Sequence, residues 1–223
     1  MYVLYGGPFT RAFMVEMVLA EGDIAYELRV VDIVKQEHRT EAFLKINPAG
    51  YLPVMVAPDG EVLYETPALN LYLAERHAMT HLAPRVDEPQ RGLFLSGLFY
   101  LAGDLEPVLK RYFYPHRYVL REEDIPAMKT RSLEVALERL TVIEHRLRDK
   151  GPYHLGERFS LVDLTMAYWT ASIQFPGLLV SHPAISRCAK LAMDRPKLRE
   201  MFDTLKLWRY EYAQMQARGA GIQ

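Results

Sequence analysis

A small α/β domain followed by an all-helical domain is what this sequence predicts, and three observations carry that expectation. Short apolar runs alternate with helical periodicities through the first eighty residues. No convincing strand pattern follows them, and apolar positions then recur at helix spacing. At about 150 residues per domain, the 223 residues of the chain hold one or two domains. We place the first at residues 1–78, a connector at 79–88 and the helical domain at 89–223.

Met1 to Tyr5 is an apolar run ended by Gly6-Gly7-Pro8, as in a buried strand and tight turn. From Arg11 the pattern is helical: Met14, Met17 and Val18 share a face, and Glu16 and Glu21 are expected to reach water. Tyr26, Leu28 and Val30 alternate with Glu27 and Arg29, which predicts a half-covered strand. Thr40 to Ile46 makes a short helix capped by Thr40 and ended at Asn47-Pro48-Ala49-Gly50. Val54-Met55-Val56 and Val62-Leu63-Tyr64 flank Pro58-Asp59-Gly60 and predict a hairpin.

Thr66-Pro67 sets a capping hydroxyl before a proline at the first helical position, and Leu69, Tyr72 and Leu73 continue that helix. Further on, Leu133, Leu137, Leu140, Ile143 and Leu147 form one helix face. Ser160 is expected to cap the Asp163 amide while Asp163 reaches back to the Ser160 amide. Pro183 and Pro196 mark two more helix starts, and Met166, Trp169, Phe175 and Cys188 read as core.

Composition narrows the function. Lys plus Arg is 27 against 28 for Asp plus Glu, a net charge of −1, so nothing draws the chain generally to polyphosphate or anionic lipid. One cysteine, Cys188, excludes an intramolecular disulfide and any CxxC motif. The longest apolar stretch, Gly92 to Gly103, stops at Asp104, short of a membrane span of ~20 residues. No signal-peptide pattern opens the sequence, and a cytoplasmic location is expected.

The runs Asn47-Pro48-Ala49-Gly50-Tyr51-Leu52-Pro53-Val54, Leu63-Tyr64-Glu65-Thr66-Pro67-Ala68-Leu69-Asn70-Leu71-Tyr72-Leu73 and Gly156-Glu157-Arg158-Phe159-Ser160-Leu161-Val162-Asp163 stand in one order and spacing. In this the chain resembles the cytosolic glutathione S-transferase family, over almost its whole length. The resemblance implies a thioredoxin-like N-terminal domain that holds glutathione as co-substrate. It also implies an all-α C-terminal domain supplying most of a pocket for a hydrophobic electrophile, and a homodimer.

By that resemblance Pro53 is a cis-proline that leaves the main chain of Leu52 open to the cysteinyl part of glutathione. Glu65 would accept from the γ-glutamyl ammonium, and Thr66 with the start of its helix would take the α-carboxylate. Tyr51 departs from the Gln or Lys common in relatives, which leaves Lys45 or Arg39 for the glycyl end.

A thiol near its usual pKa of ~8.5 is only a few per cent ionised at neutral pH, and lowering it two units takes ~2.7 kcal/mol. Three residues compete for that work: Thr10, Tyr5 and Arg11. Thr10 is also a natural N-cap, Tyr5 a natural sheet aromatic and Arg11 a natural surface charge. Phe9, Arg111, Tyr112, Tyr114 and Tyr118 are candidates for the electrophile pocket; the last four sit in a basic-aromatic run that also suits a packed helix end. The run could bind single-stranded nucleic acid, but it has no second basic cluster to support it. No histidine spacing suits a catalytic metal. The expected function is conjugation of glutathione to a hydrophobic electrophile. The alternatives are a non-catalytic regulatory protein of the stringent starvation protein A kind, which keeps the fold, and a glutathione-dependent disulfide reductase, whose chemistry needs no protein cysteine.

Overall fold

Five alternately buried residues, Tyr2–Gly6, make the strand β1. The chain then enters α1 (Ala12–Glu21) and returns as β2 (Tyr26–Val30), parallel to β1 with Tyr5 opposite Arg29. After α2 (Glu41–Leu44), whose Thr40 cap accepts from the Phe43 amide, come β3 (Val54–Val56), β4 (Val62–Tyr64) and α3 (Thr66–Arg76). The sheet order is β2-β1-β3-β4, with β3 antiparallel to both neighbours. This is the thioredoxin-like mixed sheet. The structure is a computed structural model and describes residues 1–8, 10–172 and 178–217. The expectations for Phe9 and Phe175 lie outside the described residues.

The helical part comprises α4 (Arg91–Tyr100), α5 (Glu106–Phe113), α6 (Ile125–Lys150), α7 (Leu161–Ser172), α8 (Leu178–Ser181), α9 (Pro183–Met193) and α10 (Arg199–Ala217). A π-helical turn, Leu101–Leu105, joins α4 to α5 in one 23-residue helix, Arg91–Phe113. Its length and composition would suit a membrane span, but it buries Phe94, Leu98, Leu101, Leu105 and Leu109 as protein core. Its Asp104 and Glu106 pair with Arg139 and Lys110 at 2.8 and 2.9 Å. The helix therefore runs well past Asp104, where the apolar stretch ends.

Cα proximity divides the chain into two compact units. One gathers Met1–Thr80, Ala171–Ile173 and Met193–Gln223; the other gathers His81–Thr170 and Gln174–Ala192. The first unit thus takes in α10, whose Trp208 packs edge-on to Phe13 of α1 at 5.1 Å.

Four local expectations need correction. Glu16 and Glu21 are buried, not solvated, because α1 is covered almost all round. Tyr26 donates to Glu16 at 2.9 Å, and burial raises the pKa of both groups. Arg195 grips Glu21 with two bonds, 2.7 and 2.6 Å long. The strand β2 is an edge strand on which Leu28 and Val30 are exposed, Val30 at 62 %, and only Tyr26 is half-buried. Finally, α10 starts at Arg199, because the Arg195 carbonyl holds the Leu198 and Arg199 amides in a turn beyond Pro196.

Candidate functional site

Three segments of the first unit line a cleft of about 80 Å³: Arg11 before α1, the loop from Asn47 to Pro53, and the junction Tyr64-Glu65-Thr66 between β4 and α3. The loop is shaped by buried Asn47, whose side chain donates to the Tyr51 carbonyl at 2.9 Å and accepts from the Ala49 amide at 3.2 Å. Gly50 turns with φ +62°, a left-handed conformation that favours glycine, and the His38 carbonyl oxygen would lie 3.1 Å from a Cβ there. The Leu52–Pro53 bond is cis. Sheet pairing begins at Val54, and the main chain of Leu52 has no hydrogen-bond partner among the described residues.

At the other wall Glu65 stands in an uncommon conformation, φ 70° and ψ 111°, just before α3. Such backbone outliers gather at ligand sites. Glu65, not Thr66, holds the N-cap position, and its side chain makes no capping bond. Thr66 is instead the first residue of α3; it is 1 % exposed, and its hydroxyl has no partner among the described residues. One turn on, the side-chain carbonyl oxygen of buried Asn70 is also unpartnered among the described residues. Two unmatched oxygens on one helix face are costly unless something meets them. The sequence reading missed both Asn47 and Asn70; an asparagine after a short helix or within one carries no signal of its own.

The three thiol candidates separate. Thr10 is 7 % exposed, donates its hydroxyl to the Gly7 carbonyl at 2.7 Å and faces the Ala12 amide at 3.4 Å. Arg11 takes the N-cap position of α1, displacing the expected Thr10 by one residue, and lines the cleft. Tyr5 packs edge-on to Phe43 at 6.2 Å and accepts from Arg29 Nη1 at 2.8 Å. Neither Thr10 nor Tyr5 lines the cleft.

Neither residue expected at the glycyl end lines the cleft: Arg39 donates to the Ala49 carbonyl at 3.3 Å and stacks over the ring of Tyr51, 5.3 Å from its centroid. Lys45 pairs with Glu41 at 2.9 Å on an exposed face.

The second unit holds the basic-aromatic run. Arg111 lies over Tyr118, Arg117 over Tyr114 and Lys129 over Tyr112, at 5.6, 4.7 and 5.7 Å. These charges are matched to the rings beside them. Asp163 is the node of this unit. It accepts from the His154 amide at 2.7 Å, from the Ser160 amide and hydroxyl at 2.9 Å each, and from the Cys188 thiol at 3.4 Å. The Asp163 arm of the cap is as expected, but the Ser160 hydroxyl meets the Val162 amide at 3.3 Å, not that of Asp163. Burial pushes the Asp163 carboxyl up to about 6 against those donors, and raises the Cys188 thiol. Trp169 and Met166 are buried. Among the described residues no three His, Cys, Asp or Glu side chains gather as a metal site.

The model of the glutathione S-transferase N-terminal domain matches residues 10–76. The chain is 30 % identical over 193 residues to a glutathione S-transferase (hmp2) of Hypomyces subiculosus, covering 82 % of this chain and 89 % of that one. It is 28 % identical over 201 residues to the disulfide-bond oxidoreductase YfcG of Escherichia coli, with 86 % and 90 % covered. A glutathione transferase homologue from Sulfitobacter, solved with bound glutathione, superposes with a TM-score of 0.80 at 25 % identity, covering 92 % of this chain and 98 % of that one.

Proposed function

This chain belongs to the glutathione S-transferase family, and on that premise we propose that it conjugates glutathione to a hydrophobic electrophile. The observation that carries the reading is the unpartnered Thr66 hydroxyl, buried at the cleft wall beside the unpaired main chain of Leu52. Together they present what an extended, doubly charged tripeptide needs: strand pairing for its middle and donors for an anionic end. Thr66 and the first amides of α3 take the γ-glutamyl carboxylate, and Glu65 accepts from the neighbouring ammonium. Leu52 pairs with the cysteinyl unit, and Arg39, held over Tyr51, takes the glycyl carboxylate.

The protein provides no nucleophile of its own. Its part is to position the tripeptide and to favour its thiolate. Arg11 is the cation in the cleft, and we assign it the larger share of that stabilisation, since an opposite charge within ~4–6 Å lowers a pKa by 1–3 units. Thr10 is a positioning residue: its hydroxyl ties Gly7 to the start of α1 and so fixes where Arg11 emerges. In the reaction the thiolate sulfur bonds to the electrophilic carbon as the leaving group departs with its electron pair. The electrophile pocket includes Arg111, Tyr112, Tyr114 and Tyr118 of the helical domain, and the active form is a cytoplasmic homodimer.

The test is calorimetric titration with glutathione followed by a rate assay with 1-chloro-2,4-dinitrobenzene. Saturable heat and glutathione-dependent loss of chloride are expected. No heat on folded protein removes the proposal; heat without turnover turns it toward a binding or regulatory role. A second reading, glutathione-dependent disulfide reduction, is favoured by the similarity to a disulfide-bond oxidoreductase; Cys188, the sole cysteine, is buried and takes no part. The exchange would run between glutathione and substrate sulfurs. Turnover of 2-hydroxyethyl disulfide without chloride release from the aryl substrate selects it.

A further inference from the structure

We propose that the open edge of β2 is a self-association surface, on which β2 of a second copy of this chain lies antiparallel about a two-fold axis at Leu28. The sheet of each copy, ordered β2-β1-β3-β4, then continues into the other through paired β2 strands. No residue of Tyr26–Val30 lines the glutathione cleft, so the inference does not rest on the reading of that site.

Main-chain geometry sets the register. The Val31 amide donates to the Gly6 carbonyl at 2.7 Å, and Gly6 stands opposite Val30. In a parallel ladder this phase turns the N–H and C=O groups of Glu27, Arg29 and Val31 toward β1 and those of Tyr26, Leu28 and Val30 away from it. These outward groups have no hydrogen-bond partner among the described residues. An antiparallel neighbour exchanges both bonds at alternate positions. Setting Leu28 opposite Leu28 of the second copy makes every outward position a bonded one, since Tyr26 of each copy then meets Val30 of the other.

Complementarity within the strand selects a second copy as the occupant. In that register Glu27 of each copy faces Arg29 of the other, at the non-bonded positions where side chains approach most closely. Within one chain the two already pair at 2.7 Å with both side chains exposed, and Arg29 donates to the Tyr5 hydroxyl oxygen. Pairing therefore closes four charges of alternating sign on one face of the joined strands. On the other face exposed Leu28 and Val30 gain apolar neighbours in Leu28 and Tyr26 of the second copy. The strand Tyr-Glu-Leu-Arg-Val thus complements its own reverse in charge and matches it in apolar character. The contact is isologous, closes after one added copy and is small, so it is a weak, reversible one.

The experiment is sedimentation equilibrium of the full chain from about 10 μM to about 1 mM at low salt, the range for a contact of this size. The average mass should rise toward double its value at high dilution, and less so in about 0.5 M salt. Glu27→Arg and Arg29→Glu, each alone, set like charges opposite one another and should weaken the association about tenfold. An equimolar mixture of the two variants restores opposite signs at every pair and should associate as the wild type does. Mild oxidation should cross-link Leu28→Cys to a second copy, the paired Cα atoms lying about 5.5 Å apart. Val30→Cys, more exposed but about 13 Å from its counterpart in this register, should stay unlinked, as should buried Cys188. No rise in mass at about 1 mM, reversals without effect, a mixture no stronger than its parts, or equal cross-linking of the two new cysteines would each overturn the proposal.

Discussion

The hydroxyl of Thr10 donates to the main-chain carbonyl of Gly7 across 2.7 Å. A hydroxyl has one proton, and this one is engaged with a carbonyl in a buried turn. The next residue, Arg11, lies on the cleft wall. Thiol activation by a hydroxyl and by a guanidinium can be told apart by titrating bound glutathione through its thiolate absorbance. Arg11→Gln should raise the bound thiol's pKa by about one unit and carry the pH–rate profile with it. Thr10→Ala should move that pKa far less while costing ~1 kcal/mol of stability. The reverse pattern, a large shift in Thr10→Ala and none in Arg11→Gln, returns the role to the hydroxyl.

Thr66 offers a sharper separation of binding from folding. Its hydroxyl is buried and unmatched, so the fold gains nothing from it. Replacing it with valine keeps the shape and removes the orphan oxygen. Thr66→Val should leave Tm unchanged or raised yet weaken glutathione about tenfold, the ~1.4 kcal/mol of a lost bond to a charged group. Thr66→Ser should retain affinity. A Thr66→Val protein that binds normally removes this hydroxyl from the site.

Parts of this site were legible because their signals are local. Proline at position 53 after an Asn-Pro-Ala-Gly turn, and Glu65-Thr66-Pro67 before an apolar periodicity, each confine the backbone within a few residues. The hairpin and the Thr40 cap were readable for the same reason. What stayed hidden depends on distant partners. Glu21 looks like a solvated helix end until Arg195, 174 residues away, is placed against it. Glu16 needs Tyr26 from the following strand. The alternation in β2 suggested a covered face, but alternation does not tell an edge strand from a central one, and the sheet order puts β2 at the edge. The Arg39–Tyr51 stack turns the missing Gln or Lys into a two-residue arrangement that no single position reveals.

That stack can be tested with a shortened ligand. If Arg39 takes the glycyl carboxylate, Arg39→Ala should weaken glutathione about tenfold, as for a lost charge-assisted bond. It should leave γ-glutamylcysteine, which lacks the glycyl unit, nearly unaffected. Lys45→Ala, which only breaks an exposed pair with Glu41, should change neither ligand. Equal losses for both ligands in Arg39→Ala would instead mean that the arginine shapes the loop through the Ala49 carbonyl.

The pair Glu21–Arg195 makes a stability prediction. Glu21 is 4 % exposed at its side chain and Arg195 26 %, so the carboxylate is the more deeply buried member and loses the pair's two short bonds when Arg195 is removed. Arg195→Met should cost about 3 kcal/mol in urea unfolding. Adding Glu21→Leu should recover more than half of that, because a hydrophobic pair avoids burying a carboxylate that has lost its guanidinium. If the double variant is as unstable as the sum of the singles, the two side chains are not coupled.

Asp163 fixes the sign of one pH dependence. Its folded-state carboxyl titrates at about 6, above the unfolded value of about 3.9. Between those pH values the folded chain holds a proton the unfolded chain has released. This group's contribution is therefore fully present below about pH 4 and is lost as pH rises through about 6. The two-unit difference corresponds to about 3 kcal/mol. Asp163→Asn removes that slope, so the stability gap between wild type and variant should shift in the variant's favour by up to that amount as pH rises from 4 to 7. Urea midpoints at several pH values measure it. A gap that moves the other way would mean that the four donors around the carboxylate outweigh its burial, with its pKa held below the unfolded value.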